Sequence, residues 1–351
     1  MVTFFVSPAD LGKGKWILET EKKLSKKGFG ISRKFPENSI LFTCIGSTIG
    51  KSGMAPKELT SNQQINSVLP NSRFSSDYLF YTLNLLSPRI KSLAGEQAVP
   101  IINKSEFGET PVPLPSTKAE QTAIATALSD ADALIQSLER LIAKKRNIKQ
   151  GAMQELLKLK EGWVVKKLGE VGEIITGSTP PTEVKGYWNG DIPWITPTDI
   201  SLKKDIFHSE REITSLGLKV VRKLPANTLL VTCIASIGKN AIFRKAGSCN
   251  QQINAIVPNS NNNIEFLYYL IENSKQYLLS KAGITATNII SKKDFTEITF
   301  SVPLLEEQTH IAAILSDMDA EIAALETKLV KYRQIKQGMM QNLLTGRIRL
   351  V

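Results

Sequence analysis

Histidine occurs twice and cysteine three times in 351 residues, and no uninterrupted apolar run is long enough to span a bilayer. These scarcities exclude several chemistries. His208 and His310 are far apart and have no companion serine or cysteine in a nucleophile setting, so a hydrolytic triad is not expected. Cys44, Cys233 and Cys249 offer no Cys-x-x-Cys spacing for zinc and no disulfide framework. Two of them lie in apolar strand-like runs and read as core thiols. An HExxH helix, a carboxylate cluster with metal spacing, the Asn-Pro-Pro-aromatic motif of an amino-methyltransferase and a dinucleotide glycine pattern are all missing. The N-terminus lacks a basic-then-apolar signal pattern. The expectation is a cytoplasmic chain without a membrane segment, a metal or a catalytic apparatus of its own.

The charge balance is uneven. Lysine and arginine number 44 against 33 acidic residues, giving a formal charge of +11, and no single block of like charge accounts for the excess. A distributed basic surface attracts polyanions, of which nucleic acid is the commonest. The hydrophobic fraction of 42% is that of a globular protein, and the length allows two or three cores.

The chain repeats itself. Glu120–Ile135 recurs as Glu307–Ile322 with 11 of 16 residues identical, and Ile148–Leu157 recurs as Ile335–Leu344 with 8 of 10 identical. Asn62–Asn66 returns as Asn250–Asn254, Thr43-Cys44-Ile45 as Thr232-Cys233-Ile234, and Phe5–Leu11 aligns with Trp194–Ile200. A displacement this long is a duplicated domain-plus-helix module rather than a solenoid. The copies are unequal: Met1 falls opposite Gly190, so residues 163–189 have no counterpart in the first copy. The first domain is therefore expected to be N-terminally shortened or to begin at an internal start.

The repeated segments that close each module carry a heptad stripe. Ile124, Leu128, Ala131, Ile135, Leu138 and Ile142 alternate steps of four and three, as do Ile311, Leu315, Met318, Ile322, Leu325, Leu329 and Tyr332. Such a seam packs along another long helix. Pairing of the two copies antiparallel within one chain is favoured over a parallel dimer between chains. Thr117 with Glu120 predicts a capping box, and Gly162 and Gly346 predict the stops. Asp130, Asp132, Asp317 and Asp319 on these helices read as solvated faces or partner contacts. The segments before each helix hold short β-rich runs broken by Gly, Pro, Asn and Ser, a mixed domain with functional loops.

Candidate polyanion contacts lie in those loops. Gly46–Ser52 has one residue too few between its glycines for a P-loop, so a turn is expected, with Lys51, and Lys239 beside Asn240, facing a phosphate backbone. Gln63, Gln64, Gln251 and Gln252 carry amides suited either to adenine edges or to backbone groups inside the domain. Thr176, Gly177, Ser178 and Thr179, with Lys185, Tyr187, Trp188 and, further on, Thr198, form a DNA-facing cluster or else a surface loop beside core tryptophans.

Two strand-rich domains, each followed by a heptad helix of about 40 residues with Glu-Gln at its head and Lys-Gln-Gly-x-Met-Gln near its end, resemble the specificity subunit of type I restriction–modification enzymes. Trp188-Asn189-Gly190-Asp191-Ile192-Pro193-Trp194, Thr196–Ile200 and Val302–Gln308 are similar to that family's target-recognition domains and helix entry. The resemblance implies an α+β fold: target-recognition domains at 1–116 and 162–305, and antiparallel coiled-coil spacer helices at 117–161 and 306–351, related by a pseudo-twofold repeat. It implies a non-catalytic subunit reading a bipartite site on double-stranded DNA. Partners would be two modification subunits carrying S-adenosylmethionine, and restriction subunits using ATP and Mg. Three rival readings stay open: a coiled-coil homodimer without DNA binding, a nucleotide hydrolase built on Gly46–Ser52, and a truncated inactive specificity subunit.

Overall fold

Short β-branched and aromatic runs become strands, and the two heptad segments become the longest helices, in a computed structural model describing residues 2–95, 98–201, 203–283 and 288–350. The chain divides into two units, Met1–Leu141 with Leu325–Val351, and Ile142–Ala324.

The first unit contains strands β1 (Thr3–Val6), β2 (Lys22–Leu24), β3 (Ile40–Thr43), β4 (Ser52–Met54), β5 (Thr60–Ser61) and β6 (Ile65–Val68). Its helices are α1 (Lys26–Gly30), α2 (Ser76–Lys91), α3 (Lys104–Gly108) and the leading part of α4 (Lys118–Leu156). Two three-stranded sheets run in the orders β2-β1-β5 and β4-β3-β6. Strand β3 is buried along its whole length, which explains its continuous Ile-Leu-Phe-Thr run. The Ser75 hydroxyl accepts from the Tyr78 N–H and starts α2, whose Tyr78, Leu79 and Tyr81 enter the core.

The second unit contains β7 (Val164–Lys167), β8 (Gly172–Thr176), β9 (Trp188–Ile195), β10 (Asp205–Ile206), β11 (Glu212–Ile213), β12 (Thr228–Thr232), β13 (Asn240–Phe243), β14 (Ser248–Cys249), β15 (Ile253–Pro258) and β16 (Thr299–Val302). Its helices are α5 (Leu168–Val171), α6 (Ser215–Lys219), α7 (Ile264–Asn273), α8 (Lys275–Ser280), α9 (Lys292–Glu297) and the leading part of α10 (Leu305–Leu343). The sheets run β10-β13-β12-β15-β8, β11-β9-β14 and β16-β7. Sheet β11-β9-β14 is the repeat equivalent of β2-β1-β5, and β13-β12-β15 that of β4-β3-β6. Among the described residues, the second unit's larger sheet is extended at both edges, by β10 and by β8.

Each long helix has 39 residues. Within the first unit, Arg333 pairs with Glu139 at 2.6 Å and Lys336 with Asp132 at 2.5 Å, joining the α10 tail to α4 in antiparallel sense. Within the second, Lys145 reaches Glu321 at 2.7 Å and Lys149 reaches Asp319 at 2.5 Å, in the same sense. Ile124, Leu128, Ile135, Leu138, Ile142, Ile311, Leu315, Ile322 and Leu329 are buried. Ala131, Met318, Leu325 and Tyr332 are half-buried.

Three local expectations are corrected. The capping box at Thr117 forms on one side only: Thr117 Oγ1 accepts from the Glu120 N–H, but the Glu120 carboxylate binds Arg349 instead. The helices end at Leu156 and Leu343, before Gly162 and Gly346, whose φ angles of 85° and 74° place the glycines in the following turns. Asp132 and Asp319 are half-buried and bonded to the domains rather than free on a solvated face. Asp132 takes the Tyr81 hydroxyl at 2.8 Å besides Lys336, and Asp319 takes the Tyr269 hydroxyl at 2.6 Å besides Lys149. Asp130 and Asp317 remain exposed.

Candidate nucleic-acid interface

The residues that hold each domain to its helices explain the repeated motifs first. Gln121 accepts from the Ser75 N–H at 2.9 Å and donates to the Pro115 carbonyl at 3.1 Å. Gln308 accepts from the Asn263 N–H at 2.9 Å and donates to the Pro303 carbonyl at 2.9 Å. Both amides are buried, so each satisfies backbone groups that water cannot reach. The lysine of the second motif, Lys149 or Lys336, supplies the cation on the aspartate that binds the domain's tyrosine. The two glutamines are buried, and the two lysines, 19% and 22% exposed, are paired with their aspartates.

A second repeated device shapes the loops. In Ser7-Pro8-Ala9-Asp10 the Asp10 carboxylate accepts from the Ser7 N–H and hydroxyl at 2.8 and 2.7 Å and from the Glu21 N–H at 2.9 Å. In Thr196-Pro197-Thr198-Asp199 the Asp199 carboxylate accepts from the Thr196 N–H and hydroxyl, both at 2.7 Å, and from the Glu210 N–H at 2.8 Å. The Asp10 carboxyl is opposed by burial, yet these hydrogen bonds hold it below the usual carboxylate range. Thr198 lies exposed on this clasp.

The loop after β8 is pinned from beneath. Trp194 Nε1 donates to the Ser178 carbonyl at 2.9 Å, and Trp188 Nε1 to the Pro181 carbonyl at 3.2 Å. The two indoles meet edge to face with centroids 5.1 Å apart, and both are buried. The Arg211 guanidinium lies 3.8 Å from the Trp188 centroid and 5.1 Å from that of Trp194. A cation held over indole faces is oriented while its outer edge stays in water. Arg222 adds a second guanidinium, donating to the Thr176 carbonyl at 2.9 Å, while its N–H meets Ser178 Oγ at 2.9 Å. Gly177 admits no side chain, because a Cβ there would lie 2.0 Å from the Asn250 carbonyl.

The candidates from sequence divide cleanly. Lys51, Lys239, Gln63, Gln251, Thr179, Lys185 and Thr198 are exposed. Thr179 donates to Gln251 Oε1 at 2.5 Å, joining two exposed candidates. Lys51 and Lys239 flank the β3–β4 and β12–β13 hairpins, where Gly50 and Gly238 adopt φ of 99° and 83°. The loop at Gly46–Ser52 is thus a hairpin turn and not a phosphate cradle. Gln64 and Gln252 are half-buried and turned back on the loop: each accepts from the amide of the asparagine two residues earlier, Asn62 at 2.9 Å and Asn250 at 3.1 Å. Asn240 is corrected as a surface candidate, since it is buried and donates to the Tyr268 carbonyl at 2.9 Å. Trp188 is likewise a support for the loop rather than an open stacking face. Tyr187 and Ser178 are half-buried, and Thr176 donates to Asn254 at 2.6 Å. Arg211 and Arg222 were not legible in the sequence, because nothing local marks an arginine that will fold over a tryptophan remote in sequence.

Cys44, Cys233 and Cys249 are buried free thiols, and burial pushes Cys233 and Cys249 up to about 12. Among the described residues no group of three or more His, Cys, Asp or Glu stands together, and no helix is long and apolar enough to cross a membrane. His208 and His310 are exposed.

Comparison with known proteins adds to this geometry. The chain is 38% identical over 168 residues to the type I restriction enzyme MjaIX specificity subunit of Methanocaldococcus jannaschii, covering 46% of this chain and 39% of that relative. It is 27% identical over 275 residues to the EcoR124I/EcoR124II specificity subunit of Escherichia coli, covering 74% of this chain and 67% of that one. A solved structure from work on complex assembly and conformational transition of the type I R-M system superposes with a TM-score of 0.64 at 17% identity. It covers 98% of this chain and 91% of the other, a likeness of fold. The model of the type I restriction modification DNA specificity domain matches residues 9–146 and 160–332, so the chain belongs to that family.

Proposed function

We propose that the chain is the DNA-specificity subunit of a type I restriction–modification system, each unit reading one half of a bipartite site on double-stranded DNA. The observation that carries this reading is the duplication of a loop-bearing domain clasped to a helix pair by an equivalent buried glutamine and half-buried aspartate in both copies. A domain fixed to a rod at two points holds its loops at a defined angle, which base reading requires. Helices α4 and α10, each about 58 Å long at 1.5 Å per residue, would form an antiparallel coiled coil that spaces the half-sites. A stiff spacer makes engagement of the second half-site intramolecular and strengthens two weak interactions together.

The basic surface supplies sequence-independent hold, through Lys51, Lys239, Arg211 and Arg222, and the loops around Thr179, Lys185 and Gln251 supply base choice. The chain itself performs no catalysis in this reading and works in the cytoplasm. Two modification subunits bring S-adenosylmethionine, and restriction subunits use ATP and Mg. The test is methylation mapping in a host with and without the chain, beside DNA affinity of the chain with its modification subunit. A split methylated motif that depends on the chain is expected. The affinity should fall steeply with salt, and Arg211→Ala with Lys239→Ala should flatten the log–log slope by about 0.9 for each phosphate no longer neutralised. Unchanged methylation on removing the chain, or a salt-independent affinity, would refute the reading.

A further inference from the structure

The contacts that bind each domain to its spacer helix hold the domain's own helix. Gln121 and Asp132 meet the cap and a tyrosine of α2, and Gln308 and Asp319 meet those of α7. The clasped loops that follow β1 and β9 are reached by a different residue. A lysine stands five residues beyond each clasp aspartate, Lys15 after Asp10 and Lys204 after Asp199. Lys15 Nζ donates to Ser129 Oγ of α4 at 2.9 Å and pairs with Asp77, in the first turn of α2, at 2.7 Å. Lys204 Nζ donates to Ser316 Oγ of α10 at 3.1 Å and pairs with Glu265, in the first turn of α7, at 2.7 Å. The two ammonium groups also lie 5.5 Å from the Tyr81 centroid and 5.4 Å from that of Tyr269. Ser129 precedes Asp132 by three residues, as Ser316 precedes Asp319, so lysine and tyrosine land on one face of each spacer helix.

The lysine side chains keep 13% and 17% exposure, so their charge is held inside rather than presented to a polyanion. Each is a three-way junction of clasped loop, domain helix and spacer helix. Base readout requires donors and acceptors held within about 0.5 Å, and a loop meets that demand only when it is tied to the rigid frame. A charge-assisted bond at the end of a covered stem is such a tie. We propose that Lys15 and Lys204 are positioning residues for base recognition, each locking the clasped loop of its unit at a fixed attitude to the spacer helix. The proposal rests on the DNA-reading function given above and deepens it. Lys204 is the better site for a test, because Arg244 also pairs with Glu265, and loss of the lysine charge leaves that half-buried carboxylate with a cation.

Two readouts separate this role from simple stabilisation. The first needs no DNA. Spin labels on Glu210→Cys and Ala313→Cys, both exposed positions of the second unit, report the distance from clasp to helix in the full chain. The native thiols are buried and stay unlabelled, and the Glu210 N–H, which bonds Asp199, survives the substitution. Lys204→Met, which keeps the stem and removes the charge, should broaden the distance distribution, while Lys203→Met at the exposed neighbour should not. Ser316→Ala, the loss of one hydroxyl on the helix, should broaden it as well and covers the case of a lysine variant that fails to fold. The second readout uses the complex with the modification subunit on the target found by methylation mapping. Lys204→Met should lose roughly tenfold discrimination at one half-site and Lys15→Met at the other, with the salt slope unchanged in both. An unbroadened distribution would overturn the proposal, as would discrimination lost at both half-sites from one substitution or at neither. So would a slope reduced by about 0.9, the mark of a lysine on a phosphate. A parent chain that discriminates at neither half-site would instead sink the DNA reading, and the label distances would then decide what the lysines do.

Discussion

Replacing Asp319 with alanine tests whether the domain–helix clasp is structural in the way its geometry implies. The Asp319 carboxylate takes the Tyr269 hydroxyl at 2.6 Å and the Lys149 ammonium at 2.5 Å. Tyr269 is fully buried, and burial, with Asp319 beside it, raises its hydroxyl far above the ordinary phenol range, so it serves as a permanent donor. Losing a charged acceptor for a buried donor costs about 1.5–3 kcal/mol. The Lys149 pair adds at most about 1 kcal/mol, since its side chain keeps 19% exposure. Ser316 Oγ, 3.3 Å from the Tyr269 hydroxyl, remains as a substitute partner and offsets part of the loss. A net loss of about 2–3 kcal/mol follows, or roughly 4–12 °C in the melting of a unit this large. Asp317→Ala, two residues away on the exposed face, should stay within about 0.5 kcal/mol. Thermal melts of the full chain, with a Tyr269→Phe cycle, measure both. Equal shifts for Asp317→Ala and Asp319→Ala, or a coupling energy near zero between Asp319 and Tyr269, would refute the reasoning.

Two further outcomes follow from titratable groups. Burial raises Glu265, but hydrogen bonds from Arg244 and Lys204 outweigh it and hold the carboxyl below its usual range. A depressed carboxylate contributes stability above its unfolded value of about 4.3, and the contribution is lost as pH falls through the lower folded value. Glu265→Gln should therefore lower the melting temperature at pH 6 and close the gap to the parent on acidification; a constant gap would contradict this. Burial raises all three thiols, so a maleimide at pH 8 should label none of them until denaturant is added, and prompt labelling of any one would reveal that its core opens.

The duplication, the two 39-residue helices and the buried heptad positions were readable from residue order, because a helix repeats every 3.6 residues and needs no distant information to declare its face. The hairpins at Gly50 and Gly238 were readable for the same local reason. Motif recurrence covered Gln121, Gln308, Asp132 and Asp319, but the aspartates read as solvated faces or partner contacts, whereas they are clasped to the domains within the chain. A carboxylate on a helix surface looks solvated until a tyrosine from a separate element meets it.

Tertiary structure alone decided the rest. It buried Asn240 against Tyr268, turned Gln64 and Gln252 onto their own asparagines, and left Gln63 and Gln251 outward. It also folded Arg211 over Trp188, which the sequence offered as a contact in its own right, and beside Trp194. That residues 163–189 align with nothing in the first copy was countable in the sequence, whereas the edge of β6, which pairs with no further strand among the described residues and borders an apolar trough, emerged only once the strands were paired. Periodicity along the chain reports which face is apolar. What covers that face is set by residues distant in sequence, and only packing brings them together.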